Sequence, residues 1–134
     1  MPTPEELARI KIDRLLEAAG WALQDYAEFN RNASLGVAVR EFQLPAGPCD
    51  YLLFIDGKSA GVIEAKPAGV TLSGVAEQSE SYMGRLPDHL ASWHETLVFD
   101  YESTGEETLF RDMRDPNPRS RSVFAFHKPQ TLHA

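Results

Sequence analysis

Apolar residues recur at helical spacing near the start of the chain and then alternate along several short stretches, predicting one helix followed by strands. Ala8, Ile12, Leu15, Leu16 and Ala19 fall on one stripe of a 3.6-residue period. Thr3-Pro4-Glu5-Glu6 supplies the start of this helix: Thr3 suits the N-cap, Pro4 the first helical position, and Glu6 the acidic position of a capping box. Gly20 ends it as a C-terminal glycine. Trp21 to Ser34 is polar and irregular and reads as a loop with a short turn.

Gly36 to Phe42 alternates and is rich in valine, the signature of a strand, and Leu44 to Pro48 reads as a loop. Asp50 to Ile55 is a strong strand, Asp56-Gly57 a turn, and Ser59 to Lys66 a second strand closed by Pro67. Leu72 to Leu86 is expected to be a helix stopped by Pro87, with Val75, Ser79, Tyr82 and Leu86 on one side. Thr96 to Tyr101 is expected to be a strand, with Glu107 to Arg111 pairing nearby. From Asp115 the chain is loop-like, then comes Val123-Phe-Ala-Phe126 and a polar end. The order helix, three strands, helix, strand implies an α/β domain with helices packed on a mixed sheet.

Length and composition fit one such domain. The 134 residues are 43% hydrophobic and 25% charged, ordinary proportions for a globular fold. Apolar runs are too short to span a membrane, and the N-terminus lacks the basic-then-apolar order of a secretory signal, so a cytoplasmic setting is expected. The single cysteine, Cys49, permits neither an internal disulfide nor a Cys-built zinc site. The net charge of −7 weighs against a simple DNA-binding module, because phosphate neutralisation by a basic stripe supplies much of DNA affinity. Either the domain does not bind nucleic acid, or something else delivers DNA while its own acids hold metal.

The chemistry-bearing stretch is Asp50, then Glu64-Ala-Lys66. Glu64 and Lys66 lie two apart on a strand and so share a face, whereas Gly61, Ile63 and Ala65 share the other. An acid and a lysine on an otherwise apolar strand are costly to bury without purpose. Whether Asp50 joins them depends on the hairpin register. A regular two-residue Asp56-Gly57 loop would pair residue 50 with residue 63 and put Asp50 on the wrong face. A three-residue loop would align it with Val62, so the site requires an odd-length loop or an equivalent bulge. Two carboxylates can hold Mg²⁺ with water and phosphate oxygens, and a lysine can orient the attacking water of a phosphodiester cleavage. The ordinary alternative is a surface Glu-Ala-Lys and an unrelated aspartate.

The spacing of Asp50, Glu64 and Lys66 resembles the PD-(D/E)xK nuclease superfamily, with Cys49 where proline is usual. Pro4 through Trp21, Gly36 through Phe42, Asp50 through Lys58 and Val62 through Lys66 resemble the N-terminal region of type I restriction subunits. Tyr101-Glu-Ser-Thr-Gly105, Asp115 to Arg121 and Phe126-His-Lys-Pro129 resemble the segment joining that nuclease region to a helicase motor. The resemblance implies a restriction-endonuclease-like fold, a mixed central sheet flanked by helices. It implies a nuclease domain over 1–114 and a connecting segment over 115–134. It also implies catalytic roles for Asp50, Glu64 and Lys66, with Asp50 and Glu64 holding Mg²⁺. Gln78 and Tyr82 match a Gln-x-x-x-Tyr on the helix after the catalytic strand, which implies contact with DNA or support of the site. A glutamate of the first helix reaches the metal in related nucleases. Glu5 and Glu6 compete for that role, and the capping position of Glu6 leaves Glu5 as the better candidate; its ordinary alternative is a favourable charge at a helix N-terminus.

The implied activity is that of a type I site-specific deoxyribonuclease acting on double-stranded DNA. The complete subunit would continue into an ATP-driven helicase domain and assemble with methylation and specificity subunits, so ATP would not bind here. Delivery of DNA by those parts would reconcile the acidic charge with cutting. Two alternatives remain open: a stand-alone repair or junction nuclease of the superfamily, and a non-cutting DNA-binding or interaction module with the same fold. His89, His94, His127 and His133 lack ligand spacing, and Ser103-Thr-Gly105 has no Gly-Lys-Ser/Thr after it to make a phosphate loop.

Overall fold

The computed structural model describes residues 3–30, 32–44, 47–69, 72, 99–114 and 120–133. Most of the helix expected over 72–86, with Gln78 and Tyr82, lies outside the described residues, as do the first three residues of the strand expected from Thr96.

Helix α1 spans Pro4–Ala18, and the Glu6 backbone N–H donates to Thr3 Oγ1 at 3.1 Å, as the N-cap reading requires. Its end is a Schellman motif. Gly20 has a φ of +94°, its N–H donates to Glu17 O, and the Trp21 N–H reaches back to Leu16 O. Among the described residues seven strands follow: β1 Ala22–Asp25, β2 Gly36–Leu44, β3 Gly47–Ile55, β4 Lys58–Ala65, β5 Phe99–Ser103, β6 Thr108–Asp112 and β7 Arg121–Val123. A short helix, α2, covers Pro129–His133. The strands lie side by side in chain order. β1 with β2 and β4 with β5 are parallel, and every other neighbouring pair is antiparallel.

β1 falls where the sequence predicts a loop. Ala22, Leu23 and Gln24 are all half-buried, so the stretch lacks the in–out alternation of a strand, and pairing with β2 imposes its form. β2 and β3 also extend into the stretch expected as a loop, up to Leu44 and from Gly47.

α1 covers one face of the sheet. Ile12 and Leu16 pack there with Tyr51, Leu53, Ile63, Phe99 and Tyr101. Val37, Val39, Leu52, Phe54 and Val62 form a second apolar cluster. Gly61 lets β4 lie close to β5, because a Cβ there would sit 2.5 Å from Phe99 O. The stretch 120–133, part of the expected connecting segment, packs into the fold. β7 pairs with β6, and Phe126 and Leu132 are buried in the α1-side core. Trp21 Nε1 donates to His127 O at 2.9 Å, while Tyr101 Oη and His127 Nδ1 share a hydrogen bond of 2.6 Å.

Candidate active site

The β3–β4 hairpin decides whether the acids meet. Its turn is the two-residue Asp56-Gly57, with φ of +53° and +77°, the left-handed pair of a type I′ turn. Ile55 accordingly faces Lys58, and Phe54 faces Ser59. The register then shifts between Leu53 and Phe54, so that Leu53 faces Gly61 and Tyr51 faces Ile63. Ala60 is the extra residue, a β-bulge on β4. One more step in this register brings Asp50 opposite Glu64 rather than Val62. The loop is even and the bulge supplies the missing residue, which meets the register condition the site imposes.

Asp50 is held from two sides. Its Oδ2 accepts the backbone N–H of Ala65 at 2.8 Å. Its Oδ1 is bonded by Arg9 Nη2 from α1. The Asp50 side chain is 12% exposed. Glu64 is buried, and its Oε1 has no hydrogen-bond partner. Burial first, then the neighbouring Asp50 charge and a hydrogen bond to Asp50, push the Glu64 carboxyl up to about 8, against a smaller opposing pull from Lys66. Lys66 is half-buried just past β4, its backbone N–H donating to Ser103 O at 2.9 Å.

Glu5 sits on α1 with its Oε1 3.9 Å from Arg9 Nη2, which in turn bonds Asp50. Glu6 lends its backbone N–H to the cap. Gln78 and Tyr82 lie outside the described residues.

Two acids were not singled out from the sequence: Asp100 and Glu102. β5 alternates, with Phe99 and Tyr101 in the α1-side core and Asp100 and Glu102 on the opposite side. Glu102 is the register partner of Glu64, and both are buried. Asp100 Oδ2 accepts from Arg111 Nη2 at 3.0 Å. Burial, reinforced by Asp100, pushes Glu102 up to about 7, with Arg111 and Lys66 opposing. The two-residue alternation of acids with aromatics was the available signal.

A cleft of about 450 Å³ opens beside Asp50, lined by Arg9, Tyr26, Arg40, Gln43 and their neighbours. Arg40 there is bonded by Asp13 and Asp25, and Tyr51 Oη donates to Asp13 Oδ1 at 2.6 Å. Among the described residues no group of three or more His, Cys, Asp or Glu side chains is arranged to hold a metal ion. The Asp50–Glu64 pair nevertheless fits a small hard cation. It offers two carboxylates and one buried oxygen without a partner, and a cation between them would offset the burial and repulsion that raise Glu64.

The seven-stranded mixed sheet with its flanking helices has a restriction-endonuclease-like α/β fold. A solved fragment assigned as an HsdR subunit of a type I restriction enzyme from Vibrio vulnificus YJ016 shares it, with a TM-score of 0.66 over 98% of this chain and 18% identity. The chain spans 25% of that fragment's length. No family model and no curated protein matches this sequence. Among the described residues no helix is long and apolar enough to cross a membrane.

Proposed function

We propose that this chain is a Mg²⁺-dependent endodeoxyribonuclease domain of a type I restriction-modification enzyme, with Asp50, Glu64 and Lys66 as its catalytic residues. The observation that carries this reading is the Ala60 bulge, whose register sets Asp50 opposite Glu64. A β4 without the bulge would have no reason to aim both acids at one point.

In this reading Asp50 and Glu64 hold the cation, and Glu5 is a candidate to approach it from α1. Bound there, Mg²⁺ supplies Lewis-acid polarisation of the scissile phosphate and of the attacking water. Ala65 fixes the Asp50 carboxylate through its backbone N–H. Lys66 follows Glu64 on the same side of β4, orients the attacking water and offsets charge building on the phosphate. Gln78 and Tyr82 would contact DNA or brace the site. The net charge of −7 gives the domain little grip of its own on a polyanion. Double-stranded DNA would therefore be delivered in the cytoplasm by the helicase domain of the same subunit, which would bind ATP, and by methylation and specificity subunits. The fold shared with the HsdR-assigned fragment supports this placement.

One observation favours a second reading, a non-cutting module of the same fold: Arg9 already occupies Asp50 Oδ1. The two separate in the assembled complex. Asp50→Ala or Lys66→Ala should abolish DNA cleavage and leave ATP hydrolysis intact. A substituted complex that still cuts contradicts the nuclease assignment.

A further inference from the structure

Arg9 is placed to do more than brace α1. Its Nη2 bonds Asp50 Oδ1, and its Nη1 donates to Glu41 Oε1 at 2.8 Å. These acceptors differ in depth: the Asp50 side chain is 12% exposed and that of Glu41 is 64% exposed. Both Asp50 oxygens already accept a hydrogen bond, Oδ2 from Ala65 and Oδ1 from Arg9, so a cation binding through Oδ1 would meet Arg9 there. Arg9 Nε is buried without a hydrogen-bond partner, so the guanidinium is not fully satisfied where it sits. The cleft beside it, bordered by Glu41 and Asp50, leaves room for the head group to turn outward.

We propose that Arg9 is a built-in counter-ion for Asp50 that yields its place to the divalent cation while keeping its existing bond to Glu41, so that Arg9 sets the metal affinity of the site. This rests on the reading of Asp50 and Glu64 as the cation's carboxylates. Without metal, the guanidinium neutralises one of two adjacent carboxyl groups. With metal, a guanidinium and a divalent cation compete for the same oxygen and repel each other. Glu41 keeps the released arginine paired, so the exchange does not strand a charge in a half-buried position. The domain would thus stay closed to metal until its local concentration, or an arriving phosphate that also draws Arg9, tips the exchange.

The test is calorimetric titration of Mg²⁺ into the 134-residue chain, with the melting temperature in chelator and in Mg²⁺ as a second readout. Arg9→Met keeps the length of the stem and removes the charge. It should bind Mg²⁺ about tenfold more tightly than the unsubstituted chain, the size expected for removing a nearby, partly screened like charge. Its melting temperature should also rise more on Mg²⁺ addition. Arg9→Lys, which retains the charge, should stay close to the unsubstituted chain. Glu41→Gln should weaken Mg²⁺ binding in the native background and have no effect in the Arg9→Met background. If the unsubstituted chain binds Mg²⁺ and Arg9→Met binds no more tightly, the counter-ion role is overturned. If neither binds and Glu64→Gln changes nothing, the carboxylate pair is not a metal site and both readings fall.

Discussion

The backbone N–H of Ala65 donates to Asp50 Oδ2 at 2.8 Å, so the residue between Glu64 and Lys66 is the one that fixes the first carboxylate. The three proposed catalytic residues therefore form one unit, tied through the β4 backbone. Asp50→Asn can still accept that hydrogen bond through its amide oxygen and Asp50→Ala cannot. Both should lose Mg²⁺ binding and cut DNA at least about 100-fold more slowly in the assembled complex. Urea denaturation in chelator should separate them: both lose the ion pair with Arg9, and Asp50→Ala loses about a further 1–2 kcal/mol for the unmet Ala65 N–H.

The Glu64 carboxyl gives the metal-free chain a signed pH dependence. Its folded value is raised from 4.5 to about 8, so the folded chain binds the proton more tightly than the unfolded one does. Its contribution is fully present below about 4.5 and is lost as the pH rises through about 8. The melting temperature in chelator should fall across that window, and saturating Mg²⁺ should flatten the fall. Glu64→Gln should remove most of the dependence and leave the smaller share of Glu102, which ends near 7.

Gly61 tests the contact that holds β5 against the site strand. A Cβ at this position would lie 2.5 Å from Phe99 O and 2.7 Å from Phe99 Cβ. Gly61→Ala should force β4 and β5 apart and cost about 1–3 kcal/mol by urea denaturation, displacing Glu102 from beside Glu64.

Much of this was legible in the sequence, and the misses share a physical cause. The capping residues of α1, the alternation of β2 and the apolar runs of β3 and β4 are local signals, and the structure forms a helix and three strands there. The register condition was legible too, because the face of Asp50 depends only on counting residues around the Asp56-Gly57 turn. Its solution at Ala60 was not, since a bulge is chosen by packing across strands. β1 and β7 owe their form to partners distant in sequence. Gln24 and Asp25 carry no strand alternation, and Arg121 to Val123 pair only because Phe110 and its neighbours present an edge. Asp100 and Glu102 were visible as a period of two, yet only the parallel register shows that Glu102 lies beside Glu64.

The C-terminal stretch offers a separate test of packing. Phe126 is buried against Tyr101, with ring centroids 5.0 Å apart in an edge contact. Phe126→Ala should destabilise the chain by about 3–5 kcal/mol, as for a large side chain removed from a core. A residue in a free connector would cost almost nothing. The measurement is the shift in urea midpoint at constant slope.

The central claim is that Asp50 and Glu64 hold a divalent cation in front of Lys66. Its most direct test is a crystal of the chain soaked in Mn²⁺ at a pH above 8, where Glu64 is ionised. Anomalous density is predicted between the two carboxylates, together with Arg9 turned away from Asp50 Oδ1. The account is contradicted if that position stays without density while Asp50 keeps its bond to Arg9.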